Sequence, residues 1–172
     1  MSNRIVFYSV VAPSGIKYRG LFFAPHYHYL NRMMSFRGLD IRWSLFFPLW
    51  LSKLIITILK ISPISKLKTQ HIQTVFSQIH NALKVGKRMH EQTLSLIFNS
   101  SKLMLKYELI CIHQDLLNGK PFAVALSKLL GQEYSVLGAL LVEAEKKDEF
   151  EPAVNEVSNA ITQLAEQRMG LL

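Results

Sequence analysis

Hydrophobic and polar residues alternate at the start of the chain and then recur at helical spacing. Ile5–Val11 and Ile16–Ala24 are rich in β-branched and aromatic residues, so each predicts a strand. Residues 25–38 carry apolar positions three and four apart, which indicate a helix, and Leu39–Trp43 predicts a short third strand. The pattern therefore predicts a small α+β N-terminal unit, ββαβ-like in order, over residues 1–43.

Apolar residues recur every three or four positions throughout residues 66–172, and glycines interrupt the pattern. Gly86, Gly119 and Gly131 each follow an apolar stripe, and glycine ends helices because it adopts a left-handed conformation without steric cost. Pro121 suits the first turn of the next helix, where its missing N–H costs nothing. Six helices joined by short turns pack as antiparallel neighbours. The predicted fold class is therefore mainly α: an antiparallel six-helix bundle behind the N-terminal unit.

Two of these helix stops share a short sequence. The pattern Gly-Lys-x-apolar begins at Gly86 and again at Gly119, 33 residues later, and each copy leads from a long predicted helix into a shorter one. Both lysines, Lys87 and Lys120, are expected to be exposed. Exposed charges contribute little to stability, so we expect their removal to be nearly neutral.

Residues 44–65 form the most apolar stretch and connect the two parts of the chain. Pro48 and Lys53 interrupt it, and a lysine at mid-membrane costs about 2.5–3.5 kcal/mol. Three interpretations remain open: a helix on a membrane surface or a partner, a buried core segment, or a membrane span. An exposed run of this kind would make the chain self-associate or bind detergent. The candidate contact residues are Phe46, Phe47, Trp50, Lys53 and Lys60.

Charge is distributed unevenly along the chain. Ten of the twenty Lys and Arg residues but only one of the twelve acids lie in residues 1–70, a formal charge of +9. This asymmetry predicts a surface that faces an anionic partner. Apolar residues are interleaved with the basic ones, which favours an anionic membrane surface over nucleic acid. The lone cysteine, Cys111, excludes an intramolecular disulfide and is expected to be a small core residue.

The sequence carries no recognisable catalytic or nucleotide-binding motif. Phosphate-binding glycine loops and the Gly-x-Ser-x-Gly nucleophile turn are absent from it, so we expect neither an enzyme nor a cofactor. His26 and His28 could offer imidazoles to a metal, but no Cys or carboxylate lies near them in sequence, and two surface histidines in a strand-to-helix corner are the favoured interpretation. Glu145, Asp148 and Glu149 are candidate cation ligands, but they lack the regular oxygen spacing of a calcium loop.

The order of these signals resembles the cytoplasmic domains of the inner-membrane platform proteins of type II secretion and type IV pilus assembly, the GspF/PilC type. In that family a Gln lies eight residues before a Gly, and an apolar residue follows three after it. A second Gly is followed by an apolar residue and Ala-Leu, and a Gly-Glu-x-x-Gly-x-Leu turn precedes the sixth helix. Here that turn is Ala144–Phe150, in which the Glu remains and both glycines and the Leu are replaced. The matching residues are Gln78, Gly86, Met89, Gly119, Phe122, Ala125, Leu126 and Glu145.

The resemblance implies a non-enzymatic domain at the bacterial inner membrane, on its cytoplasmic side. Its expected partners are an assembly ATPase, pilin or pseudopilin, other inner-membrane assembly proteins and further copies of itself. The chain would correspond to the first cytoplasmic domain of a protein that continues beyond Leu172. The alternative, from the residues alone, is a membrane-surface helical adaptor or scaffold unrelated to pili, anchored in the membrane plane by residues 45–61.

Overall fold

The computed structural model describes residues 3–61, 69–132 and 134–169, and it is mainly helical. The described residues contain eight helices and one small antiparallel sheet at the N-terminus. The chain divides into unit 1, residues 1–65, and unit 2, residues 66–172. The predicted helical class and the small N-terminal sheet are confirmed.

Unit 1 follows the predicted ββαβ order and adds one helix. Its elements are β1 (Arg4–Val11), β2 (Lys17–Ala24), α1 (Tyr27–Phe36), β3 (Asp40–Phe46) and α2 (Leu49–Ile61). The central strand is β1, which pairs antiparallel with both neighbours. The connection through α1 therefore crosses from one edge of the sheet to the other. Most of the buried side chains come from the strands and from α1, among them Val6, Val10, Phe22, Leu30, Met33 and Met34.

The third strand is longer than predicted and occupies the start of the expected connecting segment. Alternation continues past Trp43, and Phe46 pairs with Val6 of β1. The strand ends where Pro48 can donate no hydrogen bond to a sheet, and α2 begins at the next residue. The predicted start of the connecting segment at residue 44 therefore falls inside β3. Residues 62–65, its other end, lie outside the described residues.

Ser52 attaches α2 to the sheet. The Ile5 amide of β1 donates to Ser52 Oγ at 3.1 Å, and the hydroxyl is completely buried. The Ile5 carbonyl accepts the Phe47 amide at 2.9 Å. One side of α2 is thus fixed against β1, while Trp50 on another side is exposed. No helix in the described ranges has both the length and the apolar character needed to cross a membrane.

The described residues of unit 2 form six helices. These are α3 (Thr69–Lys84), α4 (Met89–Asn99), α5 (Leu103–Leu117), α6 (Phe122–Ser127), α7 (Ser135–Lys146) and α8 (Phe150–Met169). Successive helices contact one another, and α3 packs extensively along α8. Most of the side chains that fill the interior are aliphatic, among them Ile79, Ile97, Leu109, Ile110, Ile112, Leu126, Leu141, Val154, Val157 and Ile161.

Polar contacts accompany the packing of α3 on α8. Ser77 Oγ and Ser158 Oγ lie 3.3 Å apart, and His80 Nδ1 lies 3.0 Å from Glu151 Oε1. These pairs join residues more than 70 positions apart in sequence. They fix the register of the first helix of the unit against the last.

Candidate functional site

The turn after α5 has the geometry that its glycine predicts. Gly119 has a φ of +77°, and its amide donates to the Leu116 carbonyl at 3.0 Å. The next amide, of Lys120, donates to the Asp115 carbonyl at 3.0 Å. This pair of bonds is a Schellman motif, which satisfies the last carbonyls of a helix. The predicted left-handed helix stop at Gly119 is confirmed.

The turn after α3 repeats this geometry. Gly86 has a φ of +68°, and its amide and that of Lys87 donate to the Leu83 and Ala82 carbonyls, both at 2.9 Å. The left-handed stop at Gly86 is likewise confirmed. The next helix begins three residues after the glycine, at Met89.

The residue before each following helix is extended. Arg88 precedes α4 with φ −66° and ψ 130°, and Pro121 precedes α6 with φ −55° and ψ 142°. Pro121 is therefore the N-cap of α6, one position earlier than predicted. The prediction placed it inside the helix because its fixed φ suits both positions; its extended ψ puts it outside. Neither N-cap residue supplies a side-chain acceptor to its helix.

Glu145 supplies the missing acceptor at the start of α6. Its Oε1 accepts the Phe122 amide at 2.8 Å, and its Oε2 accepts the Ala123 amide at 3.1 Å. The carboxylate arrives from α7, more than 20 residues further along the chain. It satisfies two of the unpaired amides that begin every helix, and its negative charge faces the positive end of the helix dipole.

The turn after α7 completes this cluster. Asp148 has a φ of +58°, the left-handed conformation that glycine adopts most easily, and it occupies the position of the second glycine in the platform-protein pattern. The following amide, of Glu149, donates to the Ala144 carbonyl at 2.9 Å. The ring of Phe150 then packs edge-on against that of Phe122, with centroids 5.6 Å apart. We call Gly119, Phe122, Glu145, Asp148 and Phe150 the turn cluster.

Within the turn cluster and the helix that it caps, the packing is tight. Phe122, Ala125 and Leu126, three of the predicted motif residues, are buried. The structure thus brings together the predicted residues from 119 to 126 with Glu145. The remaining three, Gln78, Gly86 and Met89, lie at the connection between α3 and α4.

At the connection between α3 and α4, Gln78 and Met89 make hydrogen bonds through their backbone carbonyls. The exposed Gln78 offers its carbonyl to Gln92 Nε2 at 3.3 Å, and the Met89 carbonyl accepts the Thr93 hydroxyl at 2.7 Å. Gln78 also lines a cleft of about 180 Å³ between α3, α4 and α5. The cleft walls are mixed, with His71, Asn99 and Lys102 among the polar residues and Val75, Leu96, Leu105 and Leu109 among the apolar ones.

Asp115, which the sequence pattern did not single out, joins the ends of α5 and α6. Lys120 Nζ donates to its Oδ1 at 2.7 Å, and Lys128 Nζ, just after α6, donates to its Oδ2. Burial acts to raise the pKa of Asp115, but the hydrogen bonds from the two lysines outweigh it and hold this pKa below its usual value. Lys87 and Lys120 are both exposed, as expected, but Lys120 is also paired with Asp115.

The three cation candidates do not form a shared site. Both oxygens of Glu145 accept backbone amides, and Asp148 and Glu149 are exposed on the turn beside it. In the part of the chain that the structure describes, no three His, Cys, Asp or Glu side chains are grouped so as to hold a metal ion. Glu145 acts here as a helix cap.

His26 also serves as a helix cap. Its Nδ1 accepts the Tyr29 amide at 3.2 Å at the start of α1, and its ring stacks on that of His28 with centroids 6.3 Å apart. Cys111, expected in the core, is half-buried on α5. Burial, together with interactions with Cys111, raises the pKa of Tyr107, one turn earlier.

The candidate contact residues of unit 1 fall into two groups. Phe46 ends β3 and Phe47 follows it, and both are half-buried beside β1. Trp50, Lys53 and Lys60 are exposed on α2. Of the five candidates, these three are the ones whose side chains are exposed.

Comparison of the chain with protein-family models and with curated proteins finds no match. The turn cluster is the most constrained arrangement among the predicted motif residues. Its carboxylate is fully engaged with backbone amides, and its rings contact each other. What it can do chemically is hold α6 in a fixed position between α5, α7 and α8.

Proposed function

We propose that the chain is a cytoplasmic-side domain of an inner-membrane platform protein, of the kind used in type II secretion and type IV pilus assembly. In this proposal unit 2 is a six-helix bundle that links a cytoplasmic assembly ATPase to the extraction of pilin or pseudopilin from the membrane. The bundle passes motion between partners and carries out no chemistry of its own.

The proposal rests mainly on where the structure places the motif residues. Phe122 and Glu145, which matched the family pattern in sequence, are joined by a hydrogen bond across 23 residues, and Gly119, a third match, ends the helix that precedes Phe122. Asp148 departs from that pattern in side chain but has a positive φ, the conformation that glycine adopts most easily, at the position where the pattern has a glycine. A chance match of weak motifs gives no reason for their residues to meet.

The arrangement of the helices adds support. Successive helices of unit 2 contact one another, and α3 lies along α8, so the first and last helices close the group. The short α6 is held at both ends by carboxylates, Glu145 at its start and Asp115 through Lys128 at its end. A domain that transmits force needs such fixed connections between helices.

Co-purification tests the proposal. The tagged chain is expressed in its native cells, captured, and examined for the assembly ATPase and for pilin or pseudopilin; the expected result is enrichment of both. The matched control is Glu145→Ala bait, which should lose partners that require a correctly placed α6. A folded wild-type chain that captures neither protein would refute the proposal.

The alternative function, a membrane-surface adaptor unrelated to pili, is favoured by one observation, the exposed side of α2. It predicts lipid binding without capture of the ATPase or the pilin. The same co-purification therefore separates the two functions.

A further inference from the structure

The outer side of α2 is divided lengthwise into an apolar and a basic stripe. Trp50, Leu54 and Ile58 are 69%, 53% and 57% exposed. Residues four apart on a helix lie one above the other, so these three side chains form a continuous stripe. Ser52 and Ile56 are buried on another side of the same helix. The apolar stripe is therefore not the side by which α2 packs on the sheet.

The basic stripe runs directly beside the apolar one. Lys53, Thr57 and Lys60 are exposed, and Lys53 and Thr57 each follow a member of the apolar stripe by three positions. A helix with large apolar side chains beside lysines is typical of segments that lie in a membrane interface, where the lysine stems cover apolar area and the ammonium groups stay in water.

The sheet carries a second exposed apolar group in the same unit. Leu21 and Leu45 are the cross-strand partners of Phe7 on either side, so the three side chains share one face. The ring of Trp43 lies 5.4 Å from that of Phe7. Leu21, Trp43 and Leu45 are all exposed. The amide of Ile5, two residues before Phe7, is bound by α2, so this group lies close to that helix.

The positive charge of unit 1 favours an anionic binding partner. Residues 3–61 contain eight Lys and Arg residues, all exposed, and a single acid, Asp40. This excess repels a second copy of the same surface and attracts an anionic one. The exposed apolar side chains require an apolar environment, and the basic side chains beside them require negative charges. A bilayer with acidic headgroups offers both within a few ångströms.

We propose that unit 1 binds the surface of an anionic lipid bilayer with α2 lying in the membrane plane. Trp50, Leu54 and Ile58 enter the boundary between headgroups and acyl chains, where tryptophan is favoured, and Lys53 and Lys60 contact the acidic headgroups. This inference rests on unit 1 alone and holds whether or not the proposed function of unit 2 does.

Trp50 provides a direct readout in the 172-residue chain. Trp43→Phe leaves it as the sole tryptophan. Vesicles of phosphatidylcholine mixed with phosphatidylglycerol should shift its fluorescence to the blue and carry the chain upward in flotation, whereas pure phosphatidylcholine vesicles should do so weakly. Combining Lys53→Ala with Lys60→Ala should weaken binding by up to about 25-fold, about fivefold for each lysine.

Two double substitutions distinguish binding through this surface from binding caused by any exposed apolar residue. Leu54→Ser with Ile58→Ser should abolish the blue shift and the flotation. Val85→Ser with Val136→Ser removes two apolar residues that are even more exposed, at 74% and 78%, but lie in unit 2. It should leave vesicle binding unchanged, and circular dichroism of both pairs should match that of the wild type.

Three outcomes would overturn the inference. The first is no binding of the wild-type chain to the acidic vesicles, or binding that survives Leu54→Ser with Ile58→Ser. The second is a blue shift that grows with protein concentration in the absence of lipid, which would assign the stripe to a second copy. The third is binding to an RNA oligomer without binding to vesicles. None of these results alters the co-purification test of the proposed function.

Discussion

Glu145 binds the amide of Phe122 at 2.8 Å, and this contact joins two helices across 23 residues of sequence. This contact supplies the N-terminal cap that α6 otherwise lacks, because Pro121 before the helix offers no side-chain acceptor. The helix also has only six residues. So short a helix does not form stably alone. Its position depends on the carboxylate of α7 and on the Phe122–Phe150 ring contact.

Removing this carboxylate should destabilise the protein. Glu145→Ala leaves the amides of Phe122 and Ala123 without their acceptor, and loss of such a cap costs about 2 kcal/mol of unfolding free energy. Glu145→Gln should cost less, because its amide oxygen still accepts one hydrogen bond. Urea denaturation measures both values.

The matched control for Glu145 is Glu149→Ala. Glu149 lies on the same turn but is exposed, so its removal should change the unfolding free energy by no more than about 0.5 kcal/mol. Equal losses for the two variants would show that net charge, and not the cap, is responsible.

Substitutions of the two helix-stop glycines should be costly for conformational reasons alone. A Cβ added at Gly86 or Gly119 would meet no atom within 4 Å, but their φ values of +68° and +77° strain any L-residue. Alanine should therefore cost about 1–2 kcal/mol at each position, and valine more because it is β-branched. Thermal unfolding provides the measurement.

Substitutions of the lysines that follow these glycines test the same turns without straining the backbone. Lys87→Ala should be nearly neutral because this side chain is exposed. Lys120→Ala should cost more than Lys87→Ala, since it removes a donor to Asp115. Glycine variants that unfold at the wild-type temperature would contradict the helix-stop assignment.

Asp148→Gly should stabilise the protein. It relieves the left-handed strain of a residue with φ +58°, and after the entropic cost of glycine in the unfolded chain a gain of about 0.5–1 kcal/mol remains. Lys147→Gly, next to it with φ −98°, should have the opposite sign. A loss of stability in Asp148→Gly would mean that the aspartate side chain has a role beyond its backbone conformation.

The element order and the helix stops could be predicted because they depend on local chemistry. Alternation of β-branched residues in β1 and the glycines at positions 86 and 119 act within a few residues of themselves. The end of β3 was missed because its alternation continues into the apolar run after Trp43. Pairing with Val6 on β1, far away in sequence, decides where the strand ends.

The contacts of the turn cluster could not be derived from the sequence. Glu145 was considered as a cation ligand because it lies among acids; only the packing of α7 on α6 shows that its oxygens face amides. Asp115 carried no motif, and its role depends on two lysines that come close to it in the folded state. Asp148 was also considered as a cation ligand, and its left-handed conformation was not predicted, because aspartate enters that region only where its surroundings require it.

Acid should weaken the contribution of Asp115. Its pKa is lowered in the folded protein from the unfolded value of 3.8, so the folded state favours the carboxylate. That contribution is complete above pH 3.8 and disappears as the pH falls through the lower folded pKa. Compared with the wild type, Asp115→Asn should be less stable near neutral pH, and the difference should shrink below pH 3.8. A difference that stays constant during acidification would contradict the ion-pair assignment.

The proposal that this chain acts as an assembly platform can be tested in cells that lack its gene. Surface pilin and secreted protein are measured after the gene is returned as wild type, as Lys87→Ala or as Gly119→Val, with chain levels checked by immunoblot. Deletion should abolish pilus assembly or type II secretion, wild type and Lys87→Ala should restore it, and Gly119→Val should restore little. Normal pili together with normal type II secretion in the deletion strain would contradict the platform proposal.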